Sequence, residues 1–167
     1  MRRLLILAAL VLVAAPVAVA AGDPSTDAAK AACKAEKHAM GTKLFKQTYA
    51  AKSIARAMEN CTDKREPTVA EDAKNAAHDC KAERKADPDA FAEKYGKNEN
   101  GTNAYGKCVS GKASEATEEE TEARVNAAKT CKALRKDDKA GFEEQYGTKK
   151  NAFGKCVSAT AKADEDS

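Results

Sequence analysis

The chain has 167 residues, with 29 Lys and Arg against 26 Asp and Glu, six Cys, four Phe, four Tyr and no Trp. Two of the arginines, Arg2 and Arg3, stand at the extreme N-terminus, so the remainder is nearly neutral and lacks the clustered basic excess that nucleic-acid binding calls for. So few large apolar groups also exclude one large hydrophobic core, because a chain rich in Ala and charge has little apolar surface to bury per residue.

Arg2 and Arg3 precede an apolar stretch from Leu4 to Ala15, and Ala18, Val19 and Ala20 follow Pro16. This order of charge, apolar run and small residues reads as a secretory signal peptide over residues 1–20, cleaved after Ala20. The expected location is secreted or extracytoplasmic, in a periplasm or cell envelope, with no membrane span after cleavage. All six cysteines lie downstream, and an even number in an oxidising compartment predicts disulfides.

The rest is an internal repeat. NAAHDCKAERKADPDAFAEKYG (75–96) with NAYGKCVS (103–110) matches NAAKTCKALRKDDKAGFEEQYG (126–147) with NAFGKCVS (151–158) at 20 of 30 positions, too many for chance. A diverged earlier copy keeps Cys33, Lys34 and Ala35, then Phe45 and Tyr49, then Ala57 and Cys61. The sequence therefore divides into unit 1 (23–62), unit 2 (68–112), unit 3 (117–163) and a disordered tail (164–167). The segments Asp63–Pro67 and Gly111–Glu122 between units read as a linker or a solvated helix start, with glutamates favouring a helix N-terminus.

Each unit is expected to be all-α: a first helix, a short second helix and a third helix. Thr68 with Glu71 and Thr117 with Glu120 have the spacing of capping boxes that open the first helices of units 2 and 3. Val69, Ala73, Ala76, Ala77 and Cys80 then share one helical face, and Val125, Ala128, Cys131 and Leu134 or Arg135 repeat it. Asp87 and Pro88 start the short helix of unit 2. Phe91 and Tyr95, like Phe142 and Tyr146, are four apart and share a face. Gly96 and Gly147 are expected as left-handed stops, and Asn103 and Asn151 as N-caps of the third helices. Gly106 and Gly154 fall inside those helices, where Gly costs roughly 1 kcal/mol against Ala, and close packing of the unit's first helix is the expected compensation.

Two cysteines in every copy predict pairing within units: Cys33–Cys61, Cys80–Cys108 and Cys131–Cys156. A unit this small needs such a staple, and closing a loop of this length is worth roughly 3–4 kcal/mol. The aromatics Phe45, Tyr49, Phe91, Tyr95, Tyr105, Phe142, Tyr146 and Phe153 are the bulky core beside the disulfides.

No catalytic, cofactor-binding or metal-ligating set emerges. His38 and His78 are unrepeated, no Cys-x-x-Cys pair exists, and GKCVS lacks the spacing of a phosphate-binding loop. Asn60 and Asn100 begin glycosylation triplets of a kind common by chance. The expectation is a non-enzymatic secreted or envelope-associated repeat protein. It acts as a binding or structural module toward an unknown partner, an envelope component or another protein, with no cofactor. The alternative is a small secreted regulator or inhibitor acting through the variable segment 97–102; a secreted enzyme would have to use His38 or His78.

Overall fold

Alanine, lysine and glutamate dominate every unit, and these are strong helix formers. Residues 24–96 and 103–165 are described by the computed structural model. Residues 1–23, segment 97–102 and the last two residues lie outside the described residues, and with them the expected signal peptide and cleavage site. Among the described residues the chain is all-α, with helices α1 (Pro24–Met40), α2 (Thr42–Thr48), α3 (Ile54–Ala86), α4 (Pro88–Tyr95), α5 (Ala104–Asp137), α6 (Lys139–Tyr146) and α7 (Ala152–Glu165). None of them is long and apolar enough to cross a membrane.

The three disulfides are Cys33–Cys61, Cys80–Cys108 and Cys131–Cys156, each with its Cα atoms 6.0 Å apart. Each bridges the two helices that flank a short one. The short helices carry the aromatic pairs: ring centroids are 4.8 Å apart for Phe45 and Tyr49, 4.9 Å for Phe91 and Tyr95, and 5.0 Å for Phe142 and Tyr146. Asp87 opens α4 by accepting from the Ala90 N–H at 2.9 Å, with Pro88 in the first turn; Asp138, its repeat equivalent, accepts from Gly141 N–H at 2.9 Å to open α6. In unit 1, Gly41 stands before α2 at φ 76° without a side-chain cap.

The junctions between units are not linkers. Asp63–Pro67 lies inside α3 and Gly111–Glu122 inside α5, so the last helix of one unit and the first of the next are a single rod of 33 or 34 residues. Thr68 with Glu71 and Thr117 with Glu120 are therefore mid-helix, not capping boxes. The Thr117 hydroxyl instead donates to the Ala113 carbonyl one turn back, at 2.8 Å. The physical reason is cooperativity: extending a formed helix through residues of good propensity costs less than ending it and nucleating another. Even Pro67, which lacks the N–H a helix interior uses, is carried inside α3.

Two smaller expectations are corrected, for Gly96 and for the tail, while Asn103 and Asn151 keep their places at the helix starts. Gly147 has the positive φ expected of a stop, at 89°, but Gly96 does not, at −85°. Asn103 precedes α5 at φ 78° and makes no side-chain cap bond. Asn151 stands immediately before α7, where its backbone carbonyl accepts the Lys155 N–H as an N-cap's does. Asp164 and Glu165 belong to α7, so the tail expected to be disordered is helical at least that far.

The units form one body. α1, α3 and α5 pack on one another, α7 packs on α5, and α2 of the first unit meets α7 of the last. At that last contact a Cβ built on Gly154 would lie 2.4 Å from the Thr48 carbonyl oxygen, whereas one on Gly106 would meet nothing within 4 Å. Close packing thus explains Gly154, through α2 rather than its own unit's first helix, and does not explain Gly106.

Two predictions follow from the rods and the glycines. Gly106→Ala raises stability by about 1 kcal/mol while Gly154→Ala lowers it, as measured by denaturant unfolding of the oxidised protein. Pro67→Ala raises the melting temperature, because the continuous rod regains an interior hydrogen bond; an unchanged or lower value would mean that the rod is broken there.

Candidate binding groove

Each helix of the central trio has more apolar surface than its packing uses. On α1, Ala29, Ala32 and Cys33 are buried, yet Ala31, Ala35 and Ala39 form a second, exposed stripe at helical spacing. On α3, Val69, Ala76 and Cys80 face the core as expected, but Ala73 is exposed and Ala77 half-buried. On α5 the same face carries Val109, Ala113, Thr117 and Thr121. These surfaces meet around a half-open groove of about 1000 Å³, to which all three units contribute. Its lining runs along α5 from Tyr105 to Lys129, a length of about 36 Å at 1.5 Å per residue.

Behind the groove, α1, α3 and α5 are locked by buried charge. Glu36 is 0% and Arg65 1% exposed. Arg65 Nε and Arg124 Nε both lie 3.5 Å from Glu36 Oε1, and Arg65 Nη1 pairs with Glu120. The Tyr49 hydroxyl donates to Glu36 Oε2 and accepts from Arg124 at 3.2 Å. Arg65 Nη2 also donates to the Thr117 carbonyl and the Thr121 hydroxyl, each at 3.2 Å, so the guanidinium sits directly behind the groove wall. Two carboxylates and two guanidiniums leave the cluster neutral.

Burial raises the Glu36 carboxyl above its ordinary range, opposed by Arg124, the Tyr49 hydroxyl and Arg65. Burial, and then the Glu36 carboxylate, push the Tyr49 phenol up, which keeps its proton available for the bond to Glu36. Burial works against the charge of Arg124, but Tyr49 and Glu36 outweigh it and its pKa is raised. Asp72, which accepts from Thr117 at 3.3 Å, is raised by burial and then by Glu120.

Of the aromatics, cysteines and histidines singled out from sequence, Tyr105 alone lines the groove. Phe45, Tyr49, Phe91, Phe142 and Phe153 are buried; Tyr95 and Tyr146 are half-buried against their clusters. Tyr105 packs on its cluster and also lines the groove, with its hydroxyl donating to the Ala77 carbonyl at 3.0 Å. The six cysteines sit at the centres of three separate core clusters. His38 and His78 are exposed and far apart in the chain, and among the described residues no group of His, Cys, Asp or Glu is placed to hold a metal. Asn60 is engaged, donating to the Tyr49 carbonyl at 2.9 Å. Segment 97–102, the site expected of an inhibitor, and with it Asn100, lies outside the described residues.

Neither the groove nor the charge cluster was anticipated from sequence. A usable sign was present: α1 spreads Ala28, Ala29, Ala31, Ala32, Ala35 and Ala39 over more of its circumference than a single packing face needs.

Removing one member of the cluster strands its partners in the interior. Arg65→Met is expected to cost about 3–5 kcal/mol in urea unfolding, and Glu36→Gln to cost less. The double variant, which leaves Glu120 with Arg124, should lose less than the sum of the two singles. Comparison with protein families, with curated proteins and with solved structures found no match.

Proposed function

We propose that this is an exported, non-enzymatic binding protein whose guest lies in the groove of α1, α3 and α5. The groove itself carries the reading: about 1000 Å³ of space bordered mainly by Ala, Val and hydroxyl side chains lies within the range of natural ligand sites. The three disulfides support an extracytoplasmic setting, since such bonds persist in oxidising compartments. They also support a preformed site, because the stapled helices lose little freedom when a guest arrives.

In this reading the repeat builds one shared site instead of several separate ones. Unit 1 supplies the alanine stripe of α1, unit 2 the α3 floor and the first half of α5, and unit 3 the far wall from the second half of α5. Avidity through three equivalent surfaces, the natural use of a repeat, is not needed.

The natively exported, oxidised protein should take up a polarity-sensitive apolar dye at one equivalent per chain, seen as a saturable rise in fluorescence. Ala31→Phe, which adds a ring on the exposed α1 stripe, should suppress that rise without lowering the melting temperature. No saturable binding by the folded protein, or binding unaffected by this change, would overturn the proposal.

A further inference from the structure

Resting on that reading, we infer that the guest is a single-chain amphiphile with a zwitterionic head, its acyl tail lying toward Tyr105 and its head toward Lys129. Four observations carry this.

The first is the pattern of charge along α5. From Tyr105 to Thr117 the lining residues are uncharged, a stretch of about 18 Å. The hydrocarbon core of a bilayer is about 30 Å thick, so one acyl tail reaches about 15 Å, which this stretch accommodates. Beyond it the lip becomes polar: Glu118, Glu122, Asn126 and Lys129 follow at helical spacing on the same face.

The second is that the uncharged stretch has no donor to spare. The hydroxyls of Tyr105, Ser110, Ser114 and Thr117 already donate, to Ala77, Lys107, Glu118 and Ala113 respectively. An extended peptide laid there would leave its own carbonyls unpaired, whereas a hydrocarbon chain asks for no partner.

The third is width. Counted out to the groove walls and mouth, about 1960 Å³ of atom-free space over about 36 Å gives a mean cross-section of about 55 Å². A helix with its side chains is about 10–12 Å across, hence roughly 80–110 Å² in section. A thin chain suits the groove better than a helix.

The fourth is the sign of charge on the lip. Two carboxylates, Glu118 and Glu122, stand against one ammonium, Lys129. A purely anionic head would meet the two carboxylates and a purely cationic one would leave Lys129 facing a like charge, whereas a zwitterion can set its cation toward the glutamates and its anion toward Lys129.

The test displaces the bound apolar dye from the exported, oxidised protein with three competitors below their aggregation thresholds. These are lysophosphatidylcholines of increasing tail length, fatty acids of matched tails, and an apolar helical peptide. The lysophospholipids should compete best, with affinity rising with tail length and then levelling once the tail fills the stretch to Tyr105. Ala73→Phe, placed on an exposed position at the tail end, should weaken them about tenfold. Lys129→Glu should weaken the lysophospholipids more than it weakens the uncharged dye. Competition by the peptide but not by amphiphiles, fatty acids competing as well as the zwitterions, or affinity independent of tail length would each overturn this assignment while leaving the dye-binding groove standing. Loss of dye binding in the unmodified protein would remove the groove reading itself.

Discussion

Covalent closure is the constraint on which the rest of this molecule depends. The interior is built largely from Ala and Cys, and each disulfide lies at the centre of its own cluster, completely buried. α3 carries both Cys61 and Cys80, and α5 both Cys108 and Cys131, so each long rod is fastened near both ends to a neighbour. The disulfides thus link α1 to α3, α3 to α5 and α5 to α7 in one unbroken series. Weakly apolar helices are held in mutual contact by bonds that do not depend on how much surface they bury, and this leaves apolar side chains free for use outside the core.

The two unusual features of the central trio follow from that freedom. On one side α1, α3 and α5 enclose the Glu36, Arg65, Glu120 and Arg124 cluster; on the other they leave the groove open. Thr117 and Thr121 belong to both, since they line the groove and receive Arg65 from behind. A buried ion cluster contributes little net stability compared with an apolar one of the same volume, but it tolerates few alternative arrangements. Its members tie α1, α3 and α5 to one another directly behind the groove wall.

The repeat made much of this legible in the sequence. Two cysteines per copy dictated the pairing, and Phe–Tyr spacing dictated the short helices and the core beneath them. The continuity of α3 and α5 was hidden because Thr68 with Glu71 and Thr117 with Glu120 fit a helix start and a helix interior equally well. The charge cluster was hidden because Asp, Glu, Lys and Arg are everywhere in this chain, and periodicity cannot tell Arg65, 1% exposed, from Arg84 on the surface. Ala73 and Ala77 share a face with the buried Val69, Ala76 and Cys80 yet stay partly or fully exposed, because spacing reveals which residues share a face, not whether another helix covers it.

The contact between α2 and α7, where Gly154 lets one backbone rest on the Thr48 carbonyl, brings the first unit against the last. Open arrays of repeats can grow or shrink by whole units, because each copy touches only its neighbours. Here α2 of the first unit already rests on α7 of the last, so a copy inserted between them would have to part that contact.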